Sequence, residues 1–318
     1  MNNASESAAT AMTTPRSDAS LFSPKHCGMN TEPDLSEDED FHCKPPVRYP
    51  LLVVAGAVFL AVLFLCGLFA EQLAPAGYAA QDLAARLSPP VWLGGKSGLL
   101  GTDFLGRDIL SRLLYAIRIS LLVAFAGTLI SCTLGTTLGF LAAHKKGWVD
   151  EFIMMLIDFQ ASMPFVLIAL AILAFLGNSL GLFIAVMGLN GWERFARFTR
   201  GLARSASARG YVNAVRVMGA SPLRIYFKHI LPNIIGVLIV QFTLNFPSTV
   251  LLESSLSFLG LGIQPPLTSL GAMLGEGRNY LINAWWISVA PGAVIFCVTL
   301  SACILGDWLR DRLDPTLR

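Results

Sequence analysis

Hydrophobic positions in this chain come in long uninterrupted runs, not in the alternating or three-to-four spacing of a water-facing fold. Residues 51–70 carry no charge. At 1.5 Å rise per residue, about twenty residues cross a hydrocarbon core of roughly 30 Å. A second charge-free run covers 119–143, and a third, 159–192, is too long for one helix. Gly177-Asn178-Ser179 offers a turn inside it, which divides it into a hairpin. A fifth run, 233–252, continues past Glu253, and a sixth lies within 279–306. Backbone polar groups in hydrocarbon must be satisfied internally, so these segments are expected to be helices. The pattern predicts an all-α integral membrane protein. Its six transmembrane helices are expected at about 51–70, 119–143, 153–176, 180–200, 233–258 and 285–306.

Composition agrees. Charged residues make up 14% of the 318, against about 25% in soluble domains. Residues 1–50 are a different material, polar and Pro-containing, with the acidic run "EPDLSEDED" (Glu32 to Asp40). Such a segment cannot bury enough apolar area to offset its ordering entropy, so a disordered acidic cytoplasmic tail is expected there. It has no short apolar stretch or cleavage-type ending of a signal peptide. The net charge of +2 gives no bulk argument for nucleic acid. Placement matters more. Lys44, Arg48, Lys145, Lys146, Arg310, Arg312 and Arg318 flank the spans, and eight Lys or Arg lie from Arg194 to Lys228. All fall on one side of a six-span chain with both termini cytoplasmic, as the positive-inside rule requires. The external loop 71–118 carries five basic residues of its own, which weakens the bias.

The stretch "YVNAVRVMGASPLRIYFKHILPN" (Tyr211 to Asn233) makes up most of the cytoplasmic loop 203–232 and ends one residue past it. Gly219 suits the left-handed conformation that ends a helix, Ser221 is a natural N-cap, and Pro222 a natural first helical residue. Two short helices follow, the second ending at Pro232. Their partly apolar faces fit equally an interfacial anchor on lipid or a dock for a cytoplasmic partner.

This stretch resembles the "EAA" loop of permease subunits of binding-protein-dependent ABC importers, whose core is Gly219 followed by Leu231-Pro232. Four more segments are similar to the dipeptide/oligopeptide/nickel branch: "LGTDFLGRDILSRLLYAIRISL" (100–121), "GWERFARFTRG" (191–201), "LSFLGLGIQPP" (256–266) with "LGAML" behind it, and "LGDWLRDRLDPTLR" (305–318). The resemblance covers roughly 51–318. It implies a type I importer permease domain in a bacterial inner membrane, forming half of a heterodimeric pore with a second permease. Two ABC ATPase subunits would carry ATP and magnesium, and a periplasmic or extracellular substrate-binding protein would deliver cargo. Peptides are the expected cargo, with nickel, a metal chelate or glutathione as the alternative. This chain would hold no cofactor and no catalytic residue. The coupling loop would involve Tyr211, Asn213, Ala214, Gly219, Ala220, Ser221, Leu231 and Pro232. The family's Glu-Ala-Ala reads Asn213-Ala214-Val215 here, which removes a charge-assisted contact to an ATPase arginine. Its Pro-Pro-Thr-Pro-Ser-Trp-Gly reads Pro265-Pro266-Leu267-Thr268-Ser269-Leu270-Gly271.

Other features have plainer readings. "GGKSG" (94–98) has Pro90 where a phosphate-binding loop needs glycine, so ATP chemistry is expected on a partner. His26-Cys27 and His42-Cys43 are too widely spaced to favour zinc or nickel over coincidence. Cys66, Cys132, Cys297 and Cys303 fall in spans as small apolar residues. Thr133, Thr136 and Thr137 with Gly135 and Gly139 predict a close helix contact. Asp103, Arg107 and Asp108 are expected to cap an interfacial helix. Asp158, near Pro164, and Glu253 are charges at the membrane interior, expected to face the pore or gate or to pair with a nearby donor. A stand-alone secondary carrier would need inverted repeats or broken mid-membrane helices, and no repeat is evident.

Overall fold

The computed structural model describes residues 50–77, 80–95, 97–145, 147–208, 212, 215 and 217–313. Among these the regular structure is helical, with a single isolated bridge between Thr102 and Asp108. The helices are α1 (Pro50–Leu68), α2 (Ala70–Leu73), α3 (Ile109–Lys145), α4 (Gly147–Ser162), α5 (Phe165–Leu176), α6 (Leu180–Gly188) and α7 (Trp192–Ser207). They continue with α8 (Pro222–Phe258), α9 (Leu270–Gly277) and α10 (Trp286–Leu313). Helices α1, α3, α8 and α10 are each long and apolar enough to cross a membrane, and α4 with α5 makes a fifth candidate, bent by 92°.

The 37-residue α3 is the mast of the fold. Its helix starts at Ile109, ten residues before the charge-free run at 119, so the expected loop 71–118 is ordered as helix from 109 onward. Arg112 and Arg118 interrupt the apolar pattern but not the helix, since arginine is a good helix former. Arg112 is buried against Asp103 and Glu276, and Arg118 meets Glu71 at the surface. Asp108 caps its start. Oδ2 accepts from the Ser111 N–H at 2.8 Å and from its Oγ at 2.6 Å. The capping expectation holds for Asp108, on the long helix itself.

The glycines of α3 pack as expected, Gly135 and Gly139 both being buried against α7, but the threonines do not share that contact. Thr133 and Thr137 are exposed and line a groove facing α8. A Cβ on Gly127 would lie 2.7 Å from Met187 Cβ, and one on Gly139 would lie 2.8 Å from Thr199 Cβ. Helices α6 and α7 can therefore approach α3 at backbone distance. One residue on from Gly127, Thr128 Oγ1 meets Thr249 Oγ1 of α8 at 3.3 Å.

Three interruptions shape the rest. α4 stops at Ser162, and Pro164 starts α5, since a proline ring restricts the residue before it and suits the first turn of a new helix. The segment expected at 180–200 is broken at 189–191. Gly191 there takes φ +86°, and the freed carbonyls of Gly188 (2.8 Å) and Asn190 accept from Ser131 Oγ of α3. The third is a correction. Pro232 does not end a helix, because the chain runs on from Pro222 to Phe258. The turn Ile225–Ile230 is a π-helix, wide enough to receive the proline ring that an α-turn would exclude.

Candidate functional site

The segment around Gly219 is built on a buried foundation. Val212, Ile225 and Ile230 are buried in one cluster with Phe140, Phe195, Ala203, Ala206, Ile234 and Leu238. Above it the chain turns. Gly219 adopts φ +81°, and the Ala220 N–H bonds to the Val215 carbonyl at 3.3 Å, the six-to-one closure of a glycine-ended helix. Ser221 Oγ then accepts from the Arg224 N–H at 3.4 Å, and Pro222 occupies the first turn. This turn presents Val217, Met218 and Leu223 to the outside, at 88%, 77% and 71% exposure. Leu231 is half-buried against the same cluster and Pro232 is exposed. Tyr211, Asn213 and Ala214 lie outside the described residues, as do both His-Cys pairs of the first 49 residues.

Helix α7, which leads into this segment, is fastened to α4. Arg200 Nε and Nη2 donate to the two carboxylate oxygens of Asp150 at 2.5 and 2.9 Å, and Arg204 Nη2 adds a bond of 2.5 Å. The Arg200 hydrogen bonds and the charges of both guanidiniums hold the Asp150 carboxyl below the usual carboxylate range. Asp150 precedes the apolar segment starting at 153. The sequence reading missed this pair. Its only signal was Arg200 and Arg204 spaced four apart on the helix that follows.

Of the two interior acids, Asp158 is exposed and pairs with Arg197 at 3.0 Å, two residues from Gln160, whose Oε1 accepts from Trp192 Nε1 at 2.6 Å. Pro164 sits at the 92° bend just beyond. Glu253 is fully enclosed. Its carboxyl accepts from Ser257 Oγ at 2.8 Å and Ser254 Oγ at 3.4 Å, with Ser120 and Ser269 also against it. Ser120 Oγ and Ser269 Oγ in turn accept the N–H groups of Leu270 and Ala272 at 3.0 and 3.2 Å, so the acid and its serines seat the first turn of α9.

The far end of α9 is held by charge. Arg112 donates to Asp103 at 2.7 Å and to Glu276 at 2.8 Å, and Arg107 reaches the same two acids at 2.6 and 3.3 Å. Asp103 also accepts the Leu105 and Arg107 N–H groups, at 2.8 and 2.9 Å. The structural reading of Asp103 and Arg107 is right. Their partners Arg112 and Glu276 were not foreseen.

No cluster of metal-ligating side chains occurs among the described residues. The architecture is that of long apolar helices packed through buried hydrophobic clusters. The model for the binding-protein-dependent transport system inner membrane component matches residues 135–318. The chain belongs to this family. It is a multi-pass inner-membrane permease component, and the N-terminal TM domain of oligopeptide transport permease C matches residues 52–90.

Relatives extend over most of this permease. The Di/tripeptide transport system permease protein DppC of Pseudomonas aeruginosa (strain UCBPP-PA14) is 40% identical over 267 residues, 83% of this chain and 88% of that one. The Dipeptide transport system permease protein DppC of Haemophilus influenzae is 38% identical, covering 83% and 90%. The Glutathione transport system permease protein GsiD of Pectobacterium atrosepticum is 36% identical, covering 84% and 88%. Among solved structures, the inward-facing MetNI methionine ABC transporter shares the fold at a TM-score of 0.52 and 16% identity, over 65% of this chain and 98% of that one.

Proposed function

We propose that this permease is one half of the translocation pore of an ATP-driven importer for dipeptides and short oligopeptides. A substrate-binding protein on the outer side delivers the cargo. A second permease completes the pore, and two ABC ATPases supply the energy, with ATP and magnesium bound on them. The chain crosses the membrane six times with both termini cytoplasmic, α6 with α7 providing the remaining crossing. Residues 1–50 form an acidic tail and 51–318 the pore domain. The observation that carries the coupling is the turn at Gly219. Its underside is packed into the helix core while Val217, Met218 and Leu223 face outward, the form a knob needs to seat in a partner's cleft. Closure of the ATPases would pull that knob, and through the core beneath it α7 and α8. Asp158 and Pro164 mark the bend where a gate would open. Glu253 would act on it through the seat of α9.

The cargo reading rests on relatives named for dipeptide and di/tripeptide transport. The relative named for glutathione transport supports a second reading, in which the cargo is that tripeptide.

The test uses the complete transporter in vesicles with its binding protein. Gly219→Val should leave assembly intact and lower ATP-driven dipeptide uptake by about 5–150-fold, the range of one lost coupling free energy. Unchanged uptake together with unchanged ATPase association would sink the coupling assignment. Mass spectrometry of the ligand carried by the binding protein decides between dipeptide, glutathione and a nickel chelate.

A further inference from the structure

A groove between α1 and α3 has no role in the transport reading above. Its walls are Phe64, Gly67, Leu68, Leu122 and Phe125, it holds about 360 Å³, and its one charged wall residue is Arg118. That volume lies within the ~300–1,000 Å³ of ligand clefts. The position of the charge defines the depth. Arg118 immediately precedes the charge-free run 119–143, and Glu71 immediately follows 51–70, so both stand where hydrocarbon gives way to headgroups. Gly67 lets α1 come down onto α3 at this level, since a Cβ there would lie only 3.1 Å from Arg118 Cα. The Arg118–Glu71 pair is long, 3.3 Å, with 42% and 67% of the side chains exposed. Such a pair contributes little stability and opens readily.

We infer that this groove binds one zwitterionic aminophospholipid. The acyl chain lies along Phe64, Leu122 and Phe125, the phosphate meets the Arg118 guanidinium, and the ammonium meets the Glu71 carboxylate. The two side chains form a dipole that matches the headgroup sign for sign. A purely anionic headgroup would satisfy Arg118 and be repelled by Glu71. A quaternary choline could not donate hydrogen bonds to the carboxylate. The site is independent of cargo, requiring only that α1 and α3 cross the membrane.

Native mass spectrometry of the complete transporter tests this. It is offered equimolar phosphatidylethanolamine, phosphatidylglycerol and phosphatidylcholine with identical acyl chains. The wild type should retain one phosphatidylethanolamine in about fivefold preference, the scale of one charge at a membrane surface. Glu71→Lys should turn the preference to phosphatidylglycerol, and Leu122→Trp should fill the groove and lower retention of all three. Assembly is read as intact mass in the same spectra. If a variant fails to assemble, the wild-type preference decides alone. Equal retention of the three lipids, or an order unmoved by Glu71→Lys, overturns the proposal. So does efficient cross-linking of Phe125→Cys to the second permease in native membranes, which would mean that protein covers the groove. Dipeptide uptake is a separate readout, so failure of the transport reading leaves these outcomes interpretable.

Discussion

The two ends of this permease are held in opposite ways. At the end carrying residues 80–108, α9 is clamped on every side. Its start is tied through Ser120, Ser269 and Glu253, and its finish through Glu276 to Arg107 and Arg112. Its glycines press on α8 and α10, so that a Cβ on Gly271 would lie 2.6 Å from Ser254 Cα and one on Gly277 3.0 Å from Ile287 Cγ2. At the basic end the turn at Gly219 has open space around it, nothing among the described residues lying within 4 Å of a Cβ there. Large apolar side chains are left facing out. The contrast separates a platform from a lever. A buried, fully paired charge cluster resists rearrangement because every partial opening strands a charge. A turn anchored from below and bare above can be displaced without breaking internal contacts.

The largest test of this comparison is Arg112→Ala. Arg112 is 3% exposed and Asp103 fully buried, so removing the guanidinium leaves the buried Asp103 with Arg107 alone and Glu276 with only the longer 3.3 Å contact to Arg107. A loss of about 3–5 kcal/mol is expected, read as a lower melting temperature and lower yield of assembled transporter. A variant as stable as wild type would refute the clamp.

Next comes Gly271→Leu, which forces a side chain into the Ser254 backbone. Overpacking should cost about 1–3 kcal/mol in the same melt. If α9 instead floated, the cost would be near zero.

Asp150→Asn probes the basic end, where α7 meets α4. A cost of about 1–2 kcal/mol is expected, at the low side for charge-assisted bonds because Arg204 is 39% exposed. Since the Asp150 carboxyl is held below the usual carboxylate range, its contribution is complete at neutral pH. It is lost only as pH falls through that depressed folded value. The gap between Asp150→Asn and wild type should therefore narrow in strong acid, and a gap that widened would reverse the assignment.

The smallest effect belongs to Asp158→Asn. Its pair with Arg197 is exposed on both sides, so stability should change by less than about 1 kcal/mol. A change in uptake with unchanged melting would then locate a gate at the Pro164 bend. Unchanged uptake would leave Asp158 a surface ion pair.

Much of this was legible from residue order. Long charge-free runs marked α1, α3, α8 and α10, because hydrocarbon selects for composition over a fixed length whatever the neighbours are. The turn at Gly219-Ala220-Ser221-Pro222 was legible because left-handed φ, N-capping and a fixed proline φ are properties of single residues. The glycine stripe on α3 was legible from its spacing.

Pairing across the chain was not. Arg112 and Glu276 lie 164 positions apart, and Asp150 and Arg200 lie 50 apart. No local pattern says which charge a helix will bring opposite another. The extension of α3 back to Ile109 was hidden because a charge-free run marks the length in hydrocarbon and not the length of the helix, which continues through Arg112 and Arg118. The passage of α8 through Pro232 depended on a widened turn that only the packing of Ile225 and Ile230 into the core could stabilise. Composition and single-residue geometry therefore determined that the chain crosses a membrane and where it turns. Tertiary structure decided which buried charges are neutralised and by whom, because that free energy exists only once distant segments meet.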